Sequence, residues 1–94
     1  MYFVYVIRSI KDGTFYIGKT ANLESRLAFH NDIERNIGFT KGKIPWEYFF
    51  TLAVADSLVA GKIENHIKKM KSRRYLINLA KYPEIGQKLI TKFS

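Results

Sequence analysis

Two runs of β-forming residues, Tyr2 to Ser9 and Thr14 to Gly18, flank a turn signal at Lys11-Asp12-Gly13. This arrangement constrains the fold more than any other feature of the 94-residue chain. The first run is rich in Tyr, Phe, Val and Ile and fits a strand apolar on both faces. A hairpin with a two- or four-residue loop centred on Asp12-Gly13 opposes residues whose numbers sum to 25, which sets Tyr16 against Ser9. Tyr5 and Tyr16 then project from the same side of the sheet, whereas a one-residue slip would put them on opposite faces. In that register they are offset by four residues, ~13 Å along the strand. Side-chain lean or twist must then bring the hydroxyls together if both serve one group. The plainer reading of either tyrosine is core or cross-strand packing.

Downstream, Asn22 is placed to cap a helix from Leu23 to about Ile33, with Glu24 in the first turn where the dipole favours an acid. Leu23 and Leu27 bury it, and beside them Asn22, Arg26 and His30 recur at intervals of four as a polar stripe. Ile37 to Ile44, with Gly38 and Gly42, is a basic loop closed by Pro45, and Trp46 to Val54 is a third strand. Asp56 caps a second long helix with a buried stripe of Val59, Ile63, Ile67 and Met70. Ser72 caps a third helix carrying Tyr75, Leu76, Leu79 and Ala80. Pro83 ends that helix and opens a short terminal one with Ile85, Leu89 and Ile90. The order β-β-α-β-α-α predicts an α+β fold: a small three-stranded antiparallel sheet flanked by helices, one domain over residues 1–94.

Sixteen Lys+Arg against eight Asp+Glu leave a net charge of +8, which predicts a polyanionic partner: nucleic acid first, an anionic membrane surface second. The excess is uneven. Lys62, Lys68, Lys69, Lys71, Arg73 and Arg74 surround one acid, Glu64. A solvated face kept charged for solubility would be served by either sign, so the overall excess favours phosphate binding. The chain has no cysteine, which excludes disulfides and thiolate metal sites and suits a reducing cytoplasm. No apolar run approaches the ~20 residues that span a bilayer. The start has no charged region or cleavage site of a signal peptide, so a cytoplasmic location is expected.

Several residues carry chemistry in this order. Gly18 at a strand end allows close approach of a ligand or backbone, and Lys19 adds a cation ahead of a helix N-terminus that already favours anions. A phenol with a pKa near ~10 is a poor base at neutral pH, unless a nearby cation lowers it or a metal-bound water takes the proton's place. Arg26 is suited to hold two phosphoryl oxygens and the charge of a five-coordinate phosphorus. His30, one turn on, suits a hydrogen-bond donor or a proton relay; its plainer reading is a surface histidine at a helix end. Glu64 follows Ala60 and Gly61, whose small size would leave a notch beside it, compatible with one bound Mg²⁺. The bland alternative is an i,i+4 pair with Lys68. No second acid lies nearby and the two histidines lack a zinc spacing, which disfavours two-metal and zinc sites.

Together these residues resemble the GIY-YIG endonuclease family. Phe3-Val4-Tyr5 stands where the first triplet falls, without its glycine and isoleucine, and Tyr16-Ile17-Gly18 matches the second outright. Asn22 to Leu27 followed by His30 is similar to the family's arginine helix, and Ser57 through Glu64 to Lys69 to its metal-binding glutamate helix. Phe39-Thr40-Lys41-Gly42 is similar to the loop of small stand-alone bacterial members. The resemblance runs from about Tyr2 to Leu79 and leaves residues 83–94 as an extension. It implies that Tyr5 and Tyr16 activate water or position the phosphate, that Arg26 stabilises the transition state with His30 assisting, and that Glu64 holds a single divalent cation, Mg²⁺ or Mn²⁺. Asn78 is a candidate for the asparagine many relatives carry after the glutamate.

The expectation is therefore a divalent-metal-dependent endonuclease cutting phosphodiester bonds in DNA. A catalytically weak nucleic-acid-binding module and an RNA-cleaving variant are the alternatives. Lys19, Lys41, Lys43, Lys68, Lys69, Lys71, Arg73 and Arg74 are expected to meet the nucleic-acid backbone. The chain shows no appended recognition domain, so weak sequence specificity is expected, with single-stranded or branched DNA as candidate substrates. A protein partner that supplies specificity is the other route.

Overall fold

A computed structural model describes residues 1–94. The first hairpin joins β1 (Tyr2–Ser9) to β2 (Phe15–Thr20), and β3 (Trp46–Val54) pairs antiparallel on the other edge of β1, giving the order β2-β1-β3. The observed pairing sets Tyr16 against Ile7 and Tyr5 against Gly18, so opposed numbers sum to 23 rather than 25. Ser9 closes a four-residue loop, Ile10 to Gly13: its backbone bonds Thr14 and Gly13, and its hydroxyl accepts from the N–H groups of Lys11 and Asp12. Gly13, the last loop residue, takes the positive φ of 79° that favours glycine. The shift is even, so both tyrosines stay on one face, and their offset falls to two residues, ~7 Å.

The helices divide between the two faces. On the first, α2 (Ser57–Met70), α3 (Arg73–Lys81) and α4 (Pro83–Phe93) pack over Val4, Val6, Leu52 and Val54 through Ala60, Ile63, Ile67, Leu76, Leu79 and Leu89. Each Ile, Leu or Val fully buried there contributes about 1.5–3 kcal/mol. Ile63 and Ile67 therefore offset the ~1 kcal/mol that Gly61 costs within α2. Asp56 caps α2 and Ser72 caps α3, each side chain accepting the N–H three residues on. The stripe differs from the expected one at both ends: in the first turn Ala60 is fully buried and Val59 only partly, and Met70, last in the helix before the left-handed Lys71, is 42% exposed. Ala80 on α3 is likewise exposed.

On the second face, α1 (Leu23–His30) covers a smaller cluster of Tyr5, Ile7 and Trp46. Asn22 caps it through a 2.9 Å bond from Ser25 N–H. The helix ends at His30, three residues before the expected end, because Asn31 leaves it to grip the Trp46 backbone: Trp46 N–H donates to Oδ1 (2.6 Å) and Nδ2 donates to the Trp46 carbonyl (3.0 Å). The expected loop contains a 3₁₀ turn, Phe39–Lys43. A register shift in β3, where Val6 meets Phe50 but Ile7 meets Tyr48, leaves Phe49 as an extra residue. Its consequence is positional: Tyr48 and Trp46 turn toward α1 while Leu52 and Val54 face the larger core.

Candidate active site

Tyr5, in the middle strand, is 2% exposed, and its ring leans across its cross-strand partner Gly18. A Cβ at position 18 would stand 2.5 Å from the Tyr5 hydroxyl and 2.6 Å from Cζ. Gly18 is not among the positive-φ glycines, so what it supplies is space. The space lets the phenol reach α1, where its oxygen lies 2.9 Å from His30 Nε2.

His30 is buried rather than at the surface, and it is held at both ring nitrogens. Nδ1 lies 2.9 Å from Thr40 Oγ1, and Asn36 Nδ2 donates both to that hydroxyl (2.6 Å) and to the His30 carbonyl (2.8 Å). The Trp46 indole N–H in turn donates to the Thr40 carbonyl (2.8 Å). Asn36 can only donate through Nδ2, so the Thr40 hydroxyl proton is free to point at His30 Nδ1. Nε2–H then donates to Tyr5. The reverse assignment, Tyr5 to Nε2 and Nδ1–H to Thr40, satisfies the same partners. The chain Tyr5–His30–Thr40 can therefore hold its protons in either sense, a property of a relay.

Electrostatics fix the charge states. Burial pushes the Tyr5 phenol well above the ordinary tyrosine range; the positive charge of Arg26 partly offsets this, and Tyr16, Tyr48 and Glu64 add to the rise. Burial, then Arg26, lowers the His30 pKa from its ordinary value. Tyr5 is thus a neutral phenol and His30 a neutral imidazole at pH 7. Tyr48 is pushed up by burial against the opposing effect of Arg26, and its hydroxyl donates to the Leu23 carbonyl at the start of α1.

Tyr16, half-buried, packs edge-on to His30 with centroids 5.3 Å apart. With Arg26 and His30 it lines an open cleft of about 290 Å³, walled by Phe29 and Phe39. The Arg26 guanidinium lies over the Phe29 ring at 5.9 Å and makes no ion pair, so its donors are available to a ligand. The structure brings Tyr5, Tyr16, Arg26 and His30 together on one face. Glu64 comes from α2 on the other, close enough for its charge to act on Tyr5.

Glu64 is paired with Lys68 at 2.7 Å, the bland alternative, with only 15% of its side chain exposed. The expected small-residue notch does not serve it: Ala60 packs in the core, and Gly61 makes room for Lys19, whose ammonium would lie 3.2 Å from a Cβ there. Lys19 donates to the Ser57 hydroxyl and carbonyl (3.2 and 3.3 Å). No group of three or more His, Cys, Asp or Glu side chains is assembled anywhere. A lone carboxylate suits a hard cation that keeps most of its waters better than zinc, and here its partner is the Lys68 ammonium.

The remaining basic residues fall into two groups. Lys43 is tied to Asp12 (2.6 Å), whose carboxyl this bond holds well below the usual carboxylate range. Arg73 donates to the Gly13 carbonyl (3.1 Å) and stacks over Phe15 at 4.6 Å. Lys41, Lys69, Lys71 and Arg74 are exposed and unpaired. Lys68, Lys71 and Arg73 line one groove beside Phe15. Asn78 lies apart from the tyrosine face on α3 and contributes only its carbonyl, which accepts from Tyr82 N–H. Residues that sequence reasoning missed are Tyr48, Thr40, Asn36 and Asn31. The signal was weak: Thr40 stands in the loop that carries the resemblance but was given no role, and Asn36 is a short polar residue just ahead of that loop.

A two-tyrosine sheet face set against an arginine–histidine helix is the arrangement the resemblance implied, and comparison with known proteins gives the class, a nuclease-type domain. The model of the GIY-YIG catalytic domain matches residues 1–78, and the chain belongs to the GIY-YIG family. It is similar to a UPF0213 protein of Desulfotalea psychrophila, 30% identical over 73 residues that cover 78% of this chain and 66% of the relative, just under two thirds. It is also similar to a UPF0213 protein of Bacillus licheniformis, 29% identical over 72 residues, 77% of this chain and 72% of the relative. No solved structure gives a significant match. No helix is long and apolar enough to cross a membrane.

Proposed function

We propose that the protein is a divalent-metal-dependent endonuclease that hydrolyses phosphodiester bonds in DNA, with weak sequence specificity. The observation that carries this reading is the unpaired Arg26 beside the half-exposed Tyr16, backed by the buried Tyr5–His30–Thr40 chain. In it Arg26 holds two phosphate oxygens and offsets the charge that grows as water attacks phosphorus. Tyr16, the tyrosine that reaches the cleft, touches the reacting phosphate or the attacking water. Tyr5 is too buried to touch substrate freely and, as a neutral phenol, orients His30 and passes a proton along the chain. Glu64 would hold one Mg²⁺ or Mn²⁺, which when bound lowers the pKa of a water and screens the phosphate charge. The attacking water gives up a proton to solvent as it bonds to phosphorus, and the departing oxygen takes one from solvent as the P–O bond breaks. Lys19, Lys68, Lys71, Arg73 and the exposed Lys41, Lys69 and Arg74 track the backbone.

One observation favours a second reading, a binding module without useful catalysis: Glu64 is already committed to Lys68. Labelled single- and double-stranded DNA and RNA, incubated with the protein in Mg²⁺, Mn²⁺ or EDTA beside Glu64→Gln, separate the two. Cleavage that needs the cation and is lost in Glu64→Gln supports the nuclease. Tight, salt-sensitive binding with no cleavage under any condition supports the module.

A further inference from the structure

Three aromatic rings run outward from the core to solvent, the outer two lining the cleft. Trp46 is 2% exposed, Tyr16 is half-buried with its centroid 6.5 Å from Trp46, and Phe39 is 62% exposed with its centroid 6.4 Å from Tyr16. The Tyr16 and Phe39 planes are within 24° of parallel. The same cleft is lined by Phe29, with the Arg26 guanidinium over its ring, and by Ile37, 88% exposed. Folding gains little from an aromatic and a branched aliphatic side chain left in water at a loop tip, and exposed apolar groups clustered beside a polar cleft mark binding surfaces. Cations frame this cluster: Arg26 inside the cleft, Lys43 above the Phe39 ring at 5.9 Å, and exposed Lys41 in the same turn.

We infer that Phe39, with Ile37 and Phe29 lining the same cleft, forms a subsite for an unstacked nucleobase of single-stranded nucleic acid, next to the phosphate held by Arg26. This rests on the nucleic-acid reading above and names how the strand is gripped. Apolar rings interleaved with cations are how proteins hold single strands: the cations take the phosphates, and the rings take base faces irrespective of sequence. A duplex keeps its bases stacked on each other and offers Phe39 no face. The occupant fits on both counts, since its bases offer flat π faces that can stack parallel to Phe39 and its phosphates are anionic beside Arg26. Phe39 would therefore discriminate single strand from duplex, and would do so in binding before any bond is cut.

The test is binding of fluorescein-labelled oligothymidylate, of the same length of abasic strand, and of a duplex, measured by anisotropy in EDTA. The native protein is compared with Phe39→Ala, Phe39→Leu and Phe39→Trp, with folding checked by thermal midpoint. Phe39→Ala and Phe39→Leu should bind oligothymidylate roughly five- to hundredfold more weakly. Phe39→Trp should retain native affinity, and all four proteins should bind abasic strand and duplex alike. The leucine variant keeps apolar volume at position 39, so its loss isolates stacking from simple filling of the turn. Native-like binding of oligothymidylate by Phe39→Leu, or abasic strand bound as tightly as oligothymidylate by the native protein, would overturn the subsite. The readout needs no cleavage: an inactive protein that shows this pattern retains the subsite and loses the nuclease assignment, and an active one without it does the reverse.

Discussion

Tyr5 fills the volume that a side chain at Gly18 would need: the two are cross-strand partners, and a Cβ on Gly18 would stand 2.5 Å from the phenol oxygen. The second triplet's glycine and the first triplet's tyrosine are therefore one structural unit. Gly18→Ala should cost about 1–3 kcal/mol in urea denaturation, the usual range for overpacking a filled core. Removing only the hydroxyl, in Tyr5→Phe with Gly18→Ala, should not restore stability, because Cζ would still lie 2.6 Å away. Full recovery in that double variant would show that the ring is free to move.

Thr40 is the hinge of the buried polar chain. Thr40→Val keeps its shape and leaves His30 Nδ1 and one Asn36 donor without a partner. A loss of about 1–3 kcal/mol is expected for stranding such groups. A nitrogen NMR spectrum of the His30 ring should change with it. An unchanged ring spectrum would mean that Thr40 does not fix the imidazole.

The fold was more legible than its details, for reasons visible in single residues. Hairpin parity put Tyr5 and Tyr16 on one face because the true and expected registers differ by an even step. The four-residue offset was an artefact of centring the loop on Asp12-Gly13, when Ser9 closes it around Lys11 and Asp12. Caps at Asn22, Asp56 and Ser72 were readable because each is satisfied within three residues. The end of α1 was not, since Asn31 is drawn away by Trp46, fifteen residues distant. Tyr48 was hidden for a similar reason. Alternation along β3 does not reveal the extra residue at Phe49, and only that residue turns Tyr48 toward Tyr5 and Arg26.

Stability should fall as pH drops through the histidine range. The folded His30 pKa lies below its ordinary value of 6.5, so at pH values between the two the unfolded chain binds more protons than the folded one. Stability then rises with pH across that window and flattens above 6.5. Thermal midpoints from pH 5 to 8 should show this dependence in the native protein and a weaker one in His30→Gln. Equal pH dependence in both would place the effect elsewhere.

The basic residues should not contribute equally to binding. Lys69, Lys71 and Arg74 are exposed and unpaired, whereas Lys43 is tied to Asp12. Each phosphate contact removed from the first group should lower the slope of log affinity against log salt by about 0.9 on duplex DNA. Lys43→Ala should change the slope by less than that. A larger change for Lys43→Ala than for Lys71→Ala would reverse the assignment.

The most direct measurement is single-turnover cleavage of labelled DNA in Mg²⁺ or Mn²⁺ by the native protein and by Arg26→Ala, at matched thermal midpoints. If the Arg26 guanidinium stabilises the charge that grows on phosphorus, the variant should cleave about 10²–10³-fold more slowly while still binding the strand. Cleavage by Arg26→Ala at the native rate would contradict the account.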